Sequence, residues 1–428
     1  MSDSKNHADH LGRPVVVVTG VGVVSSLGKG KEENWKKLTS GISGIHAINR
    51  FKTDDLRTKI AGTVDFMELD TPMSAPALSF ALAQSAGSEA LGEAGLGNGE
   101  FPGPLFLAAP PVEMEWQHKM SVDGEINSDQ QGYPRMLEAA RARPHHDLHQ
   151  LIQFNRTADL LSEEFGTRGL PISLSTACAS GATAIQLGVE AIRRGETDAA
   201  LCIGTDGSVT IEALIRFSLL SALSTQNDNP IKAAKPFSKD RDGFVMAEGA
   251  GALVLESLAS AEKRGAEVLA VVKGAGEKAD HFHRTRSSPD GAPVIAAMRC
   301  SLEDAGLGID DIDYVNAHGT STPENDRMEY NSLHEVFGDR IHQIPVSSNK
   351  SMIGHTLTAA GAIEAVFSVL TLRNGVVPPT INYDTPDPDI PLDVVPEKAR
   401  AQKVRTVLSN SFGFGGQNAC LVFADGIG

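Results

Sequence analysis

Cys178 lies in ISLSTACASGATAIQLGVEAIRRG, where an apolar strand turns through small residues into a helix and delivers one thiol at the helix start. The thiolate is the nucleophile, and a helix N-terminus favours it through unpaired backbone N–H groups and a partial positive charge. The same turn offers amide hydrogens to an oxyanion formed as sulfur attacks a carbonyl. The competing reading is a small buried hydrophobe, the common fate of a lone cysteine.

Three further segments hold chemistry-bearing side chains among small residues. YVNAHGTSTPEND puts His318 directly after a strand-like run. SSNKSMIGHTLTAAGAIEAV puts Lys350 and His355 at the start of a helix, and SNSFGFGGQNACLVF puts Phe414 on a glycine-rich loop before a strand. Each histidine taken singly also fits a satisfied core position. A glycine loop is equally a plain turn. His145, His146 and His149 in HHDLH have metal-ligand types at close spacing, but no partner from another element is evident and the stretch reads as solvated.

The elements that must position these residues follow from periodicity. RPVVVVTGVGVVSSLG opens with a β-branched run, the mark of a buried strand. Its glycines do not meet GxGxxG, and no acidic residue follows about 20 positions on, so no dinucleotide site is read there. Residues 75–95 read as an Ala- and Leu-rich helix. Residues 110–150 are polar and irregular, with Gly124, Gly132, Pro134 and Pro144, and read as an insertion or cap. From 171 onward strands and helices alternate, which predicts an α/β architecture with parallel strands.

An internal repeat stands out. Cys178 is followed by Gly181 and, 14 residues later, Gly195; His355 is followed by Gly361 and, again 14 residues later, Gly375. Strand-like ISLST and IPVSS precede two apolar helices of equal length, each closing on a glycine suited to a cap. Either the spacing is chance, or a duplicated fold brings matching helix N-termini to one centre.

Composition narrows the class. The 428 residues are 41% hydrophobic and 21% charged, as in an ordinary globular protein of two or three domains. A net charge of −16 argues against a nucleic-acid or anionic-membrane surface. Cys178, Cys202, Cys300 and Cys420 form no CxxC pair, which reads as a reducing compartment, with Cys202 and Cys420 in the core and Cys300 on a helix. The polar N-terminus lacks a signal peptide, and no segment reaches the ~20 apolar residues of a membrane span. A cytoplasmic location is expected.

TACASG, NAHGTST, NKSMIGHT and NSFGFGGQN, in this order, resemble the motifs of the β-ketoacyl-[acyl-carrier-protein] synthases with a Cys-His-His triad. RDGFVMAEGAGALVLE and VTGVGVVSSLG extend the resemblance from about residue 14 to 424; it weakens over 108–155. It implies a five-layered α-β-α-β-α thiolase-like sandwich. Residues 1–13 would be a polar tail, 14–260 one half with a cap at about 108–155, and 261–428 the other half. The implied reaction condenses an acyl thioester with malonyl-carrier, without a cofactor, in a homodimer partnered by acyl carrier protein. Cys178 would accept the acyl chain. His318 and His355 would donate N–H bonds to the malonyl thioester oxygen and stabilise the enolate left by CO2. Lys350 would organise the second histidine and Glu364. Amides of Cys178 and Phe414 would form the oxyanion hole, with Phe414 and Phe412 as a moving gate. Thr320, Thr322 and Thr285 would bind the pantetheine arm, and Asp326 and Glu329 would support the site. Asn316, Glu329, Glu364, Asn410 and Ser411 fall where some relatives surround a monovalent cation.

Departures from the family pattern bear on the substrate. A glycine-rich segment near the acyl pocket is replaced by AAPPVEMEW (108–116), stiffened by two prolines and reshaped by Met114 and Trp116. Ser221 and Gln226 flank ALST where relatives often carry carrier-docking arginines. These point to a specialised carrier or an unusual chain, and the sequence is somewhat similar to the synthases that extend very long acyl chains for lipid A. The alternatives are a polyketide-type ketosynthase or a non-catalytic partner resembling a chain-length factor, though such partners typically replace the active cysteine. A thiolase would need a second catalytic cysteine where the loop has Phe412 and Phe414, and an initiating synthase would need asparagine where this chain has His355.

Overall fold

The opening valine run forms a strand, β1 (Val16–Ser25), in which every residue is buried. Continuous apolar character of this kind requires cover on both faces, and the chain supplies it with helices on either side. The computed structural model describes residues 7–69, 74–97, 99–124, 128–142 and 150–426. His145, His146 and His149 lie outside them.

Nine further principal strands follow: β2 (Leu105–Ala108), β3 (Ile172–Leu174), β4 (Ala199–Asp206), β5 (Gly249–Ser257), β6 (Ala270–Ala279), β7 (Tyr314–Asn316), β8 (Val346–Ser347), β9 (Thr406–Phe412) and β10 (Gln417–Ala424). From the centre outward, one half runs β1-β5-β4-β2-β3 and the other β6-β10-β9-β7-β8. The two orders are the same when strands are counted within each half, so the repeat is a duplicated fold. The halves join edge to edge where Val16–Val18 pair antiparallel with Ala270–Val272.

The alternation of elements predicts parallel strands, and the sheet is mixed instead. In each half the outer three strands are parallel, and the remaining pairs are antiparallel. The parallel pairs carry helical crossovers, whereas β9 and β10 are joined by a four-residue turn.

The helices that matter here are α1 (Ala75–Glu93), α2 (Arg156–Phe165), α3 (Ser180–Arg193), α4 (Ala292–Ala305), α5 (Pro323–Phe337) and α6 (Ala360–Asn374). α1 covers β1, β4 and β5, and α4 covers β6 and β10, while α3 and α6 pack on each other and touch strands of both halves. The result is the five-layered sandwich. At its centre a Cβ on Gly181 would meet Ala362 N at 2.4 Å, and one on Gly361 would meet Ala182 N at 2.6 Å. This reciprocal approach is the signature of a pseudo-twofold axis, and only glycine permits it. Gly195 and Gly375 close the two helices at φ 70° and 61°.

Cys202 and Cys420 are core residues and Cys300 lies on α4. Residues 110–150, expected to be irregular, include helices at Trp116–Gly124 and Tyr133–Ala142. Trp116, Met120, Tyr133 and Met136 on these helices face outward, which hid their periodicity from a search for a buried stripe. No helix among the described residues is long and apolar enough to cross a membrane.

Candidate active site

The turn into α3 is held under strain. Ala177 adopts φ 49°, a left-handed conformation that costs a non-glycine residue about 1 kcal/mol or more. Ser180 fixes it: its Oγ donates to Ala177 O at 2.5 Å and accepts from Thr176 N at 2.8 Å. Cys178 is thereby set one residue before the helix cap, 7% exposed, at the wall of a cavity of about 360 Å3.

His318 follows β7. Its backbone N–H donates to Glu329 Oε1 at 2.9 Å, and Gly319 N–H to Oε2 at 2.7 Å, so a carboxylate of α5 clamps the loop. His355 is held by its own backbone, donating from N to Val245 O at 2.7 Å and accepting at O from Ala247 N at 2.9 Å. It does not begin the repeat helix as expected. Lys350 opens a separate one-turn helix, Lys350–Ile353, and a 3-10 turn, Leu357–Ala359, lies between His355 and α6. The two imidazoles meet edge to face, centroids 5.4 Å apart at 85°, with Phe244 against His355 and Phe412 against His318.

Hydrogen-bond partners assign the tautomers. His355 Nδ1 accepts from Leu357 N at 3.3 Å, and His318 Nδ1 faces the Lys350 ammonium at 3.4 Å. Both rings therefore carry their proton on Nε2. Burial holds both well below the usual histidine range, with the Lys350 charge adding to it and, for His318, the neighbouring ring. Two neutral N–H donors result.

Burial also pushes the Cys178 thiol up to about 11, against the opposing pull of the Phe414 N–H on its sulfur and the charge of Lys350. This corrects the expectation of a resting thiolate. A helix terminus contributes at most about 2 kcal/mol, or about one and a half pH units, too little to ionise the group at neutrality. The Cys178 N–H makes no backbone hydrogen bond among the described residues. It and the Phe414 N–H are thus donors beside the sulfur.

Behind the histidines, Lys350 Nζ donates to His318 O at 2.7 Å and pairs with Glu364 Oε1, both side chains almost wholly buried. Glu364 and Glu329 are each pushed up to about 7, chiefly by burial, and each is further raised by a neighbouring carboxylate. Glu364 Oε2, Asn410 Oδ1 and Ser411 Oγ are buried without a hydrogen-bond partner among the described residues. Asn410 Nδ2 donates to Glu329 at 3.2 Å, and Asn316 Nδ2 to Glu364 O at 3.0 Å. Orphaned oxygens beside two carboxylates fit a hard cation with oxygen ligands.

Of the residues singled out from sequence, Cys178, His318, His355, Phe412, Phe414, Thr320, Thr322 and Thr285 line the one cavity. Lys350, Glu364 and Glu329 lie behind it. Thr320 and Thr322 share a hydroxyl contact of 2.9 Å, and Thr322 caps α5. Asp326 is not at the cavity: buried, it accepts from Phe237 N at 2.8 Å and Ser321 N at 3.2 Å, fixing the loop after His318. Sequence reading missed Asp206, which accepts from Thr358 N and Oγ1 at 3.2 and 2.8 Å and ties β4 to the turn before α6. Its signal was a lone carboxylate ending the apolar run AALCIGTD.

Phe414 also lines a second cavity of about 410 Å3, shared with Cys178, Phe217, Leu220 and Leu357 and bordered by Pro110–Glu113 and Glu115. A third, of about 630 Å3, shares Ala75, Glu115, Thr210 and Glu212 with the second and is walled by apolar residues including Phe51, Met67, Leu69 and Ile215.

A doubled sandwich that closes on one thiol is the architecture of a condensing acyltransferase of the thiolase type. Comparison with known proteins gives the family. The beta-ketoacyl synthase N-terminal domain matches residues 13–261 and its C-terminal domain residues 269–384. The chain belongs to the β-ketoacyl synthase family. It is 38% identical over 417 residues to 3-oxoacyl-[acyl-carrier-protein] synthase 2 of Coxiella burnetii, covering 96% of this chain and 98% of that one. It is 37% identical to the ketoacyl synthase alpha subunit of the tetracenomycin polyketide synthase of Streptomyces glaucescens, covering 96% of each. A solved complex of a type II polyketide acyl-carrier protein with its ketosynthase superposes with a TM-score of 0.84 at 30% identity, over 97% of this chain and 100% of the other.

Proposed function

We propose that the protein condenses an acyl chain held on Cys178 with a malonyl group, both delivered as thioesters of acyl carrier protein. The observation that carries this is the pair of neutral imidazoles beside one thiol, each with its proton on the nitrogen not used for support. In acylation, Cys178 sulfur attacks the thioester carbonyl while the Cys178 and Phe414 amides hold the oxyanion. The sulfur's proton leaves with the departing carrier thiol. In condensation, C–C cleavage releases CO2 from the malonyl group, and the two Nε2–H donors hold the enolate oxygen. The enolate carbon then attacks the acyl-cysteine, forming the 3-oxoacyl thioester and expelling the Cys178 thiolate, which takes up one proton from solvent to restore the thiol. Preorganised donors in a water-poor site stabilise such charge with little reorganisation. Incubation with acyl-carrier should add one acyl mass to Cys178, read by intact and peptide mass spectrometry. A chain that stays unmodified with every acyl length would overturn the reading.

The apolar second and third cavities favour a long hydrocarbon chain, and we assign the substrate to very long acyl groups, as for lipid A, on a specialised carrier. The polyketide relative supports the alternative of a polyketide-type ketosynthase. A panel of saturated and poly-oxo acyl thioesters separates the two by their rates of Cys178 acylation.

Thr320, Thr322 and Thr285 at the mouth would bind the pantetheine arm, with Phe414 gating between the first and second cavities. Among the described residues the sheet ends at β3, whose outer edge is unpaired, with Leu170 and Ile172 exposed nearby. An apolar open edge invites a second copy, so a homodimer sedimenting at twice 45.2 kDa is expected. The free cysteines accord with a cytoplasmic location.

Glu329, Glu364, Asn410, Ser411 and Asn316 would hold a monovalent cation, which would supply charge compensation for the two carboxylates. A pH dependence follows. Each carboxyl sits near 7 against an ordinary 4.5, so between those values the folded state holds more protons than the unfolded one. Stability is therefore full below about 4.5 and declines as pH rises through 7. A bound cation offsets the decline. Thermal midpoints in potassium or sodium chloride should exceed those in choline chloride of equal ionic strength at pH 8, and the gap should close at pH 5. An equal gap at both pH values would count against the site.

A further inference from the structure

The segment 281–288, HFHRTRSS, carries two arginines and two histidines and no acid, in a chain of net charge −16. Several arginines elsewhere sit on carboxylates, as Arg241 does on Asp387, Arg264 on Glu256 and Arg400 on Asp393. Arg284 and Arg286 are exposed and make no ion pair or side-chain hydrogen bond among the described residues. Among the described residues, Arg286 is also the only lysine or arginine that lines the 360 Å3 cavity holding Cys178, His318 and His355. Glu324 faces it and His283 across the mouth and feels both as charges without contact.

The segment is rigid where it matters. Buried Asp280 accepts from Phe282 N at 2.8 Å and from Ser288 N at 2.7 Å, pinning both ends. Gly415 N donates to Arg284 O at 2.7 Å, tying the segment to the Phe414 loop. Phe282 stands exposed beside the arginines. Ser221 lines the same cavity and Gln226 donates to Asp242, so neither residue flanking ALST supplies a cation.

We propose that 281–288 is the docking surface for an acidic face of the carrier protein, with Arg284 and Arg286 as its charged contacts and Phe282 as an apolar one. The cationic half of the encounter has moved from the ALST rim to this one. The inference rests on the condensing-enzyme reading above and names the surface that its partner uses. Unpaired cations carried on a pinned backbone at a cavity mouth steer an anionic partner.

The test is Arg284→Glu/Arg286→Glu, with Cys178 acylation measured from three donors of one acyl chain: acyl-carrier, acyl-phosphopantetheine and acyl-pantetheine. With acyl-carrier, kcat/KM should fall about tenfold or more at low salt, and the deficit should shrink as salt rises. Both small thioesters should lose far less than acyl-carrier does, with no salt dependence in the loss. An unchanged rate with acyl-carrier would overturn the proposal. So would an equal loss with acyl-phosphopantetheine, which would assign the arginines to the phosphate of the arm. Failure of the parental protein with all three donors would instead bring down the condensing-enzyme reading itself.

Discussion

The Cys178→Ala protein should fold, take up no acyl mass, and condense at less than about 1/10,000 of the parental rate. Loss of a covalent nucleophile is felt on that scale or beyond. The removed group is one buried sulfur atom in a turn held by Ser180, so the fold should lose little. The same protein should still release CO2 from malonyl-carrier. That half-reaction uses the Nε2–H donors of His318 and His355, and neither ring's support passes through the sulfur: His355 leans on Leu357 N and Val245 O, His318 on Lys350 and Glu329. Radiolabelled CO2 release and product formation, measured side by side, separate the two steps. Simultaneous loss of both would show that the thiol takes part in decarboxylation and would refute the division of labour proposed here.

The uncommon residues of the site were legible in sequence because local chemistry marks them. A cysteine between a strand and a helix, a histidine after a strand, and a glycine loop each announce a turn that delivers a side chain. The repeat was legible for the same reason, since Gly181 and Gly361 must lack a Cβ where the two halves touch. Three things were not legible. Strand direction depends on which strands become neighbours, a tertiary fact that alternation of elements does not encode, and the mixed sheets follow from it. The helices within 110–150 turn their apolar residues outward, so their pattern reads as irregular. The protonation state of Cys178 depends on the depth of its burial, which Phe414, Leu357 and Phe217 set from distant parts of the chain. Of the effects that oppose it, the Phe414 N–H and the Lys350 charge are equally remote, and only the helix terminus is local.

Lys350→Ala should be the most damaging change that touches no substrate. Lys350 Nζ serves His318 at both its carbonyl and Nδ1 and is the ion-pair partner of Glu364. Its removal strands a buried carboxylate, a change worth about 3–5 kcal/mol when one partner of a buried pair is lost. Glu364 limits the loss by taking a proton. Without Lys350 its folded value rises further above the ordinary 4.5, so the protein should be near parental stability at pH 5 and weakest at pH 8. Urea midpoints at the two pH values measure this. Catalysis should fall separately, since His318 loses the partner that fixes its tautomer, and one misplaced donor costs about 100- to 1,000-fold. The double variant Lys350→Met/Glu364→Gln removes both charges at similar volume and should recover most of the stability at pH 8. If it also recovered malonyl decarboxylation, Lys350 would be a structural residue alone. Continued loss of decarboxylation in a stable protein would assign it to positioning His318.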